Sequence, residues 1–259
     1  LDEQGAGAWR RVLRVVGMAG VARYDEIADF YASGWTDDIG DPASLRLLDL
    51  LGPVAGRRVL ELACGHGRIS RELARRGAEV VGAGLSAALL EKAEAAERET
   101  PLGVRYLHAD VTEAAALGDL GPFDAVVCSF GLSDIDDLDG AVTTAAAALR
   151  PGGVLACSIL HPCFPGGRDV SGSWPAGARY HAEGWWRAGG EQSSLRRRVG
   201  ASHRTLSTYL NTLRRHGLWL DELAEPEPPS EWAARRPDAA RFPVFLVLRC
   251  VKAAQVPGP

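Results

Sequence analysis

From residue 57 onward, short apolar runs alternate with longer segments in which apolar and polar positions repeat with a helical period. The runs cover 57–63, 79–83, 104–109, 123–130 and 153–160. Unbroken runs of this length are what strands buried on both faces look like. The segments between them, 69–76, 87–98, 114–117 and 138–149, predict helices. Strict alternation of the two implies right-handed βαβ units and a parallel sheet. Pro151-Gly152-Gly153, following Leu149-Arg150, predicts the end of a helix and the restart of a strand. Upstream, residues 21–51 predict helices: Tyr24, Ile27, Ala28 and Tyr31 share one helical face, as do Leu45, Leu48 and Leu51.

The pattern breaks at 162–202, a stretch rich in Gly, Ser and Arg that carries Trp174, Trp185 and Trp186 beside Tyr180. A long connection without periodicity is a lid, a binding loop or disorder, and three tryptophans argue against disorder. Residues 205–216 then predict a helix, and 218–223 and 243–251 predict strands joined by a Pro-rich loop, 226–243. The expected organisation is one domain over 1–259, with a helical cap at 21–51. A lid or substrate insertion, 162–202, lies between strand five and the next helix.

Composition narrows the function classes. The 259 residues suffice for one large domain. With 29 Lys and Arg against 33 Asp and Glu, no basic footprint for nucleic acid is expected. The Arg196-Arg197-Arg198 cluster reads as a solvated loop. No apolar run reaches the roughly 18 residues that span a bilayer. The run 13–21 is short and lacks a cleavage-site pattern, so no signal peptide and no membrane partner are expected. Cys64, Cys128, Cys157, Cys163 and Cys250 show no paired spacing, which fits free thiols in a reducing cytoplasm. The expected partner is a small molecule, with the protein acting as a monomer or homodimer.

The chemistry concentrates in Val59-Leu60-Glu61-Leu62-Ala63-Cys64-Gly65-His66-Gly67-Arg68. An apolar strand runs into an acid, then small residues, then a helix start. Glycines let the backbone turn tightly and approach a ligand closely, and a helix N-terminus offers unpaired N–H groups. The block resembles motif I of class I S-adenosylmethionine (SAM) dependent methyltransferases. Four more blocks fit that family in order: Val80-Val81-Gly82-Ala83-Gly84-Leu85-Ser86, Ala109-Asp110-Val111, Phe123-Asp124-Ala125-Val126-Val127-Cys128-Ser129, and Leu149-Arg150-Pro151-Gly152-Gly153. The chain resembles small-molecule enzymes of bacterial secondary metabolism within that family, and the resemblance implies a Rossmann-like α/β fold. Its seven-stranded, mostly parallel sheet would have order 3-2-1-4-5-7-6 and helices on both faces. It also implies SAM as cofactor and S-adenosylhomocysteine (SAH) as product.

Carried over by position, the resemblance assigns the methionine end to Glu61 and the turn Ala63, Cys64, Gly65, His66 and Gly67. Ser129 and Phe130 would line the same end. Gly84, Leu85 and Ser86 would lie by the ribose, and Asp110 and Val111 by the adenine. Tyr24 and Tyr31 match a cap helix that closes over the cofactor; core packing is the alternative for both. Gly84 departs from the family, which places Asp or Glu there to hold the ribose hydroxyls. Ser70 stands at the third glycine position of a GxGxxG pattern, and an NAD enzyme would also want an acid at 84.

For methyl transfer the protein must hold a nucleophile about 3 Å from the methyl group and, where needed, take its proton. His161, following strand five, and His203, opening the helix after the insertion, are the candidate bases, since imidazoles titrate near neutrality. For each, a structural hydrogen-bonding role is the alternative. Trp174, Tyr180, Trp185 and Trp186 would stack a substrate, or anchor the insertion to the body. Asp134, Asp136, Asp137 and Asp139 would serve a cationic amine substrate or a metal, or more ordinarily read as helix-start charges, and no metal is expected. The resulting expectation is SAM-dependent methyl transfer to O, N or C of a small natural product. The other reading is a methyltransferase-fold isomerase, cyclase or binding protein that keeps SAM as a structural ligand.

Overall fold

The computed structural model describes residues 22–118, 120–165, 172–174, 178–189, 194–235 and 241–254. The expectation for 13–21 lies outside the described residues. The cap comprises a 3₁₀ turn, Asp25–Ile27, helix α1 (Ala28–Ser33) and helix α2 (Pro42–Leu51). The start of α2 is specified locally. Asp41 accepts a hydrogen bond from the Ser44 N–H at 2.8 Å, Pro42 occupies the first turn, and Gly52 closes the helix at φ 74°.

The alternating core follows: β1 (Arg58–Leu62), α3 (Arg68–Arg75), β2 (Glu79–Gly84), α4 (Ala87–Glu99), β3 (Arg105–His108), β4 (Phe123–Ser129), α5 (Leu138–Ala148) and β5 (Leu149–Leu160). Residues 114–117 form a 3₁₀ turn. The insertion holds β6 (Gly184–Trp186), α6 (Ser194–Val199) and β7 (Ala201–His203). Helix α7 (Leu206–Arg215), β8 (Leu218–Ala224), α8 (Ser230–Arg235) and β9 (Phe245–Lys252) complete the chain.

The main sheet has order β3-β2-β1-β4-β5-β9-β8. Counting its seven strands along the chain, this is 3-2-1-4-5-7-6, the order implied by the family resemblance. Strands β1 to β5 are parallel, and β9 runs antiparallel between β5 and β8. Alternate residues of each strand feed two apolar layers, as the pleat requires. Val59, Val80, Ala125 and Val127 pack against Leu47 and Leu51 of α2 and Ile69 and Leu73 of α3. Leu60, Leu62, Val126 and Leu155 face Leu138 and Val142 of α5 and Tyr209 and Leu213 of α7.

Three local expectations are corrected. Pro151-Gly152-Gly153 does not interrupt the fifth strand: pairing runs from Leu149 with a bulge, held by Gly152 at φ 72°. Within 162–202, β6 and β7 pair antiparallel, with Trp185 opposite Ser202, and α6 lies between them. Strands of three residues are too short to show a period. The Pro-rich loop likewise contains α8, a helix of six residues.

Candidate active site

A cavity of about 380 Å³ opens at the carboxyl ends of β1, β2 and β4, where the strand order reverses. This is where open α/β sheets bind ligands, and the volume lies in the roughly 300–1,000 Å³ range of small-ligand pockets. Ala63 and Gly65 form its floor, with Gly84, Leu85, Ser86, Leu89 and Leu90 along one side. Asp110, Val111, Thr112 and Glu113 close one end, and Ser129, Phe130 and residues 134–137 form the opposite wall. Ala22, Arg23, Tyr24 and Tyr31 of the cap complete the enclosure with Val199 and Ala201 of the insertion. The described wall carries five carboxylates, Asp110, Glu113, Asp134, Asp136 and Asp137, against the single cation Arg23.

The floor is a strained turn. Ala63 lies at φ 54°, Gly65 at 57° and Gly67 at 84°. A Cβ on Gly67 would sit 2.3 Å from the Tyr106 hydroxyl, so only glycine fits there. Gly84 is different. Its φ is not positive, and a Cβ would meet nothing closer than 3.6 Å, at Cys64 Sγ. Neither backbone nor space demands glycine at 84.

Four positions assigned to the cofactor are not on the cavity wall. Glu61 is buried within the sheet below the turn, accepting from Ser70 Oγ at 2.5 Å, and burial pushes its pKa up to about 7. Its side chain reaches Ser70 of α3. Cys64 is buried with its thiol pKa raised by desolvation. Gly67 packs on Tyr106, and the His66 ring lies edge-on to Tyr31, centroids 5.7 Å apart.

The other cofactor positions do line the cavity. Asp110 Oδ1 accepts from the Thr112 N–H at 3.0 Å and from Thr112 Oγ1 at 2.7 Å, a local turn that fixes the carboxylate. Ser86 caps α4 by accepting from the Leu89 N–H and donates to Asp25 Oδ1 at 2.6 Å, tying cap to body. Phe130 sits at φ 57°, its N–H donating to Ser158 O at 2.9 Å, and its ring packs on Trp35 and Phe245. Tyr24 and Tyr31 meet edge to face at 5.0 Å, and burial raises the pKa of both phenols, that of Tyr31 to about 12.

Neither candidate base reaches the cavity. His161 is 3% exposed. Its Nδ1 accepts from the Cys163 N–H at 3.1 Å, which leaves Nε2–H to donate to Glu225 at 2.9 Å. Burial lowers its pKa, opposed by Glu225. Its N–H also donates to Val244 O at 2.8 Å, so the β8–β9 connection covers the end of strand five and closes the ring off. His203 does not open a helix: it ends β7, and α7 begins at Leu206 with Thr205 as cap. It is 1% exposed, with Nδ1 3.1 Å from Ser173 Oγ and Nε2 2.7 Å from Tyr180 O.

The aromatic group expected to hold substrate also lies off the wall and instead builds the insertion. Trp174 Nε1 donates to Pro162 O and Trp186 Nε1 to Ser173 O, each at 2.9 Å. The Tyr180 hydroxyl accepts from the Leu206 N–H at 2.9 Å. Trp185, 49% exposed, lies under the Arg23 guanidinium at 5.4 Å.

The structure adds an ionic network that the sequence pattern does not reveal. Tyr24 donates to Asp134 Oδ2 at 2.8 Å, and Arg196 donates to the other oxygen, Oδ1. Arg23 pairs with Asp136 at 2.5 Å, which also accepts from Ser202. Arg204 donates to the carbonyls of Leu132, Ile135 and Asp136. The Asp-rich run after β4 thus anchors both cap and insertion. The order of the acids was visible; their basic partners, 62 to 113 residues away, were not.

Strand order, glycine turn and cavity at the switch point define a doubly wound α/β protein built to hold a nucleoside-type ligand. Comparison with known proteins sharpens this. The model of a methyltransferase domain family matches residues 59–153. The ubiquinone biosynthesis O-methyltransferase of Alkalilimnicola ehrlichii is 37% identical over 150 residues, 54% of this chain and 59% of that protein. An uncharacterized methyltransferase of Mycobacterium tuberculosis is 34% identical over 142 residues, 54% and 70% of the two chains. A solved S-adenosylmethionine dependent methyltransferase from Mesorhizobium loti superposes with a TM-score of 0.62 at 29% identity, covering 80% of this chain and 96% of its own. The chain belongs to the class I SAM-dependent methyltransferase family. It spans about half to three fifths of the length of the ubiquinone biosynthesis relatives it matches.

The cavity fits that family's cofactor. The turn at Gly65 brings backbone against it with no side chain in the way, and a net acidic wall suits a ligand of net positive charge. Among the described residues there is no cluster of three or more metal-ligating side chains. No described helix is long and apolar enough to cross a membrane.

Proposed function

We propose that the protein transfers a methyl group from SAM to an oxygen, nitrogen or carbon of a small molecule. The observation that carries this reading is the cavity itself: eleven of the fifteen residues assigned to the cofactor line one cavity at the switch point. Gly65 and Ala63 would face the methionine portion, beside Ser129 and Phe130. Leu85 and Ser86 would flank the ribose, and Asp110 and Val111 would meet the adenine amine. Bound there, SAM supplies an electrophilic methyl and its own leaving group.

The chain's part is to position the acceptor, exclude water and, where needed, take a proton. Tyr24, Tyr31 and Phe130 exclude water with partly buried rings. Among the described residues the wall bears no imidazole, so proton acceptance falls to the carboxylates of 134–137 or is not required. An acceptor ionised in water needs only to be held in place. The relatives named as O-methyltransferases of ubiquinone biosynthesis favour oxygen as the acceptor atom. The matched 121 to 150 residues leave much of the chain uncovered, and a bacterial natural product remains the substrate class we propose. A cytoplasmic monomer or homodimer suits five free cysteines and the mild net charge.

Gly84 favours a second reading, in which SAM is retained as a structural ligand by an isomerase or cyclase. Calorimetry with SAM and SAH tests the site, and SAH release from SAM over a panel of phenols and amines tests the reaction. Binding with release of SAH above an acceptor-free control is expected. Absence of binding would sink both readings, and binding without release over the whole panel would favour the second.

A further inference from the structure

Arg196 does not line the cavity, yet two of its walls depend on it. The side chain is 4% exposed and pairs with Asp134, which does line the cavity and holds the Tyr24 hydroxyl on its second oxygen. The same Nη1 donates at 2.9 Å to the carbonyl of Gly200. Gly200 stands at φ 69° between Val199 and Ala201, the two residues through which the insertion reaches the cavity. One guanidinium therefore fixes the cap's tyrosine, through Asp134, and the insertion's own cavity-facing turn.

We propose that Arg196 is a positioning residue for the cofactor site, coupling the insertion to the cap so that Tyr24 and residues 199–201 are set against the bound cofactor together. This rests on reading the cavity as the SAM site. The physical basis is the asymmetry of buried pairs. Removing one partner leaves an uncompensated charge that must move, protonate or find water. Without Arg196, Asp134 loses the cation that holds its carboxylate where it orients Tyr24. Residues tied in one network then lose binding non-additively.

The test is calorimetry with SAH, whose neutral sulfur keeps the altered charge of the wall from dominating the result. Arg196→Met should weaken SAH about tenfold, and Arg196→Lys, which restores charge but not the forked geometry, should recover part of that. Tyr24→Phe alone should weaken SAH severalfold. Combined with Arg196→Met it should add little, because the arginine variant has already released the tyrosine. Should Arg196→Met fail to fold, Asp134→Asn, which keeps the shape but not the charge, should show the same weakening and the same non-additivity. SAH affinity within twofold of wild type in the arginine or asparagine variant, or losses that simply multiply in the double variant, would overturn the coupling. Failure of the wild type to bind SAH would take down the cavity assignment and the coupling with it.

Discussion

At the scale of single residues, Gly84 and Glu61 carry the sharpest consequences. Gly84 occupies the position where the family resemblance implies a ribose-binding acid, and its surroundings leave room for a side chain. A hydrogen bond to a charged group contributes about 1.5–3 kcal/mol. Gly84→Asp should therefore tighten SAH by roughly tenfold or more at unchanged melting temperature, read by calorimetry beside a thermal melt. Equal or weaker affinity in a variant that melts normally would move the ribose elsewhere. Glu61 is raised by burial from 4.5 to about 7, with Ser70 opposing. A carboxyl whose folded pKa is raised stabilises the fold fully below its unfolded pKa and loses that contribution as pH climbs through the folded one. Wild type should thus lose up to about 3 kcal/mol relative to Glu61→Gln between pH 4.5 and 8. Parallel denaturant midpoints for the two proteins across that range would show that Glu61 ionises freely.

At the scale of elements, β5 and the insertion show how position along a strand misleads about direction. His161 follows β5 at its carboxyl edge, but the β8–β9 connection folds over it and Glu225 takes its Nε2–H. We expect His161→Asn to lower the melting temperature by several degrees while SAH affinity stays within about twofold. A strong loss of affinity with a normal melt would return the imidazole to the site. His203, Trp174 and Trp186 are likewise consumed inside the insertion: their ring nitrogens are spent on Pro162, Ser173 and Tyr180. The β1 turn behaves in the opposite way. Its geometry follows directly from Gly65 and Gly67, since the backbone reverses within a few residues and needs positive φ to do so.

At the scale of the whole molecule, the cap, the sheet edge and the insertion meet at the cavity. Asp25 pins the cap to α4, and Asp134 and Asp136 pin it to the wall and the insertion. A ligand enclosed by three parts of the chain should stabilise all of them as one unit. At a hundredfold excess over its dissociation constant, SAH should add about 2.7 kcal/mol. For a domain of this size that raises the melting temperature by about 5–10 °C. A melt in which the core is stabilised while protease cleavage within 178–203 is unchanged would show that the insertion does not close on the ligand.

The sequence determined what depends on neighbours along the chain. Strand and helix periods, the helix caps at Asp41, Ser86 and Thr205, and the positive-φ turn at Gly65 and Gly67 are local, so the parallel core and the cavity floor could be read from order and spacing. The resemblance supplied the strand order. What the tertiary structure alone decided is which polar side chains face the cavity. His161 and His203 lie where a base would be wanted, yet each finds partners nearer than the cavity. Asp134 joins the wall because Tyr24 and Arg196, 110 residues before it and 62 after, converge on it. A buried polar group takes the partner that packing brings within reach, and packing between distant segments leaves no period in a sequence.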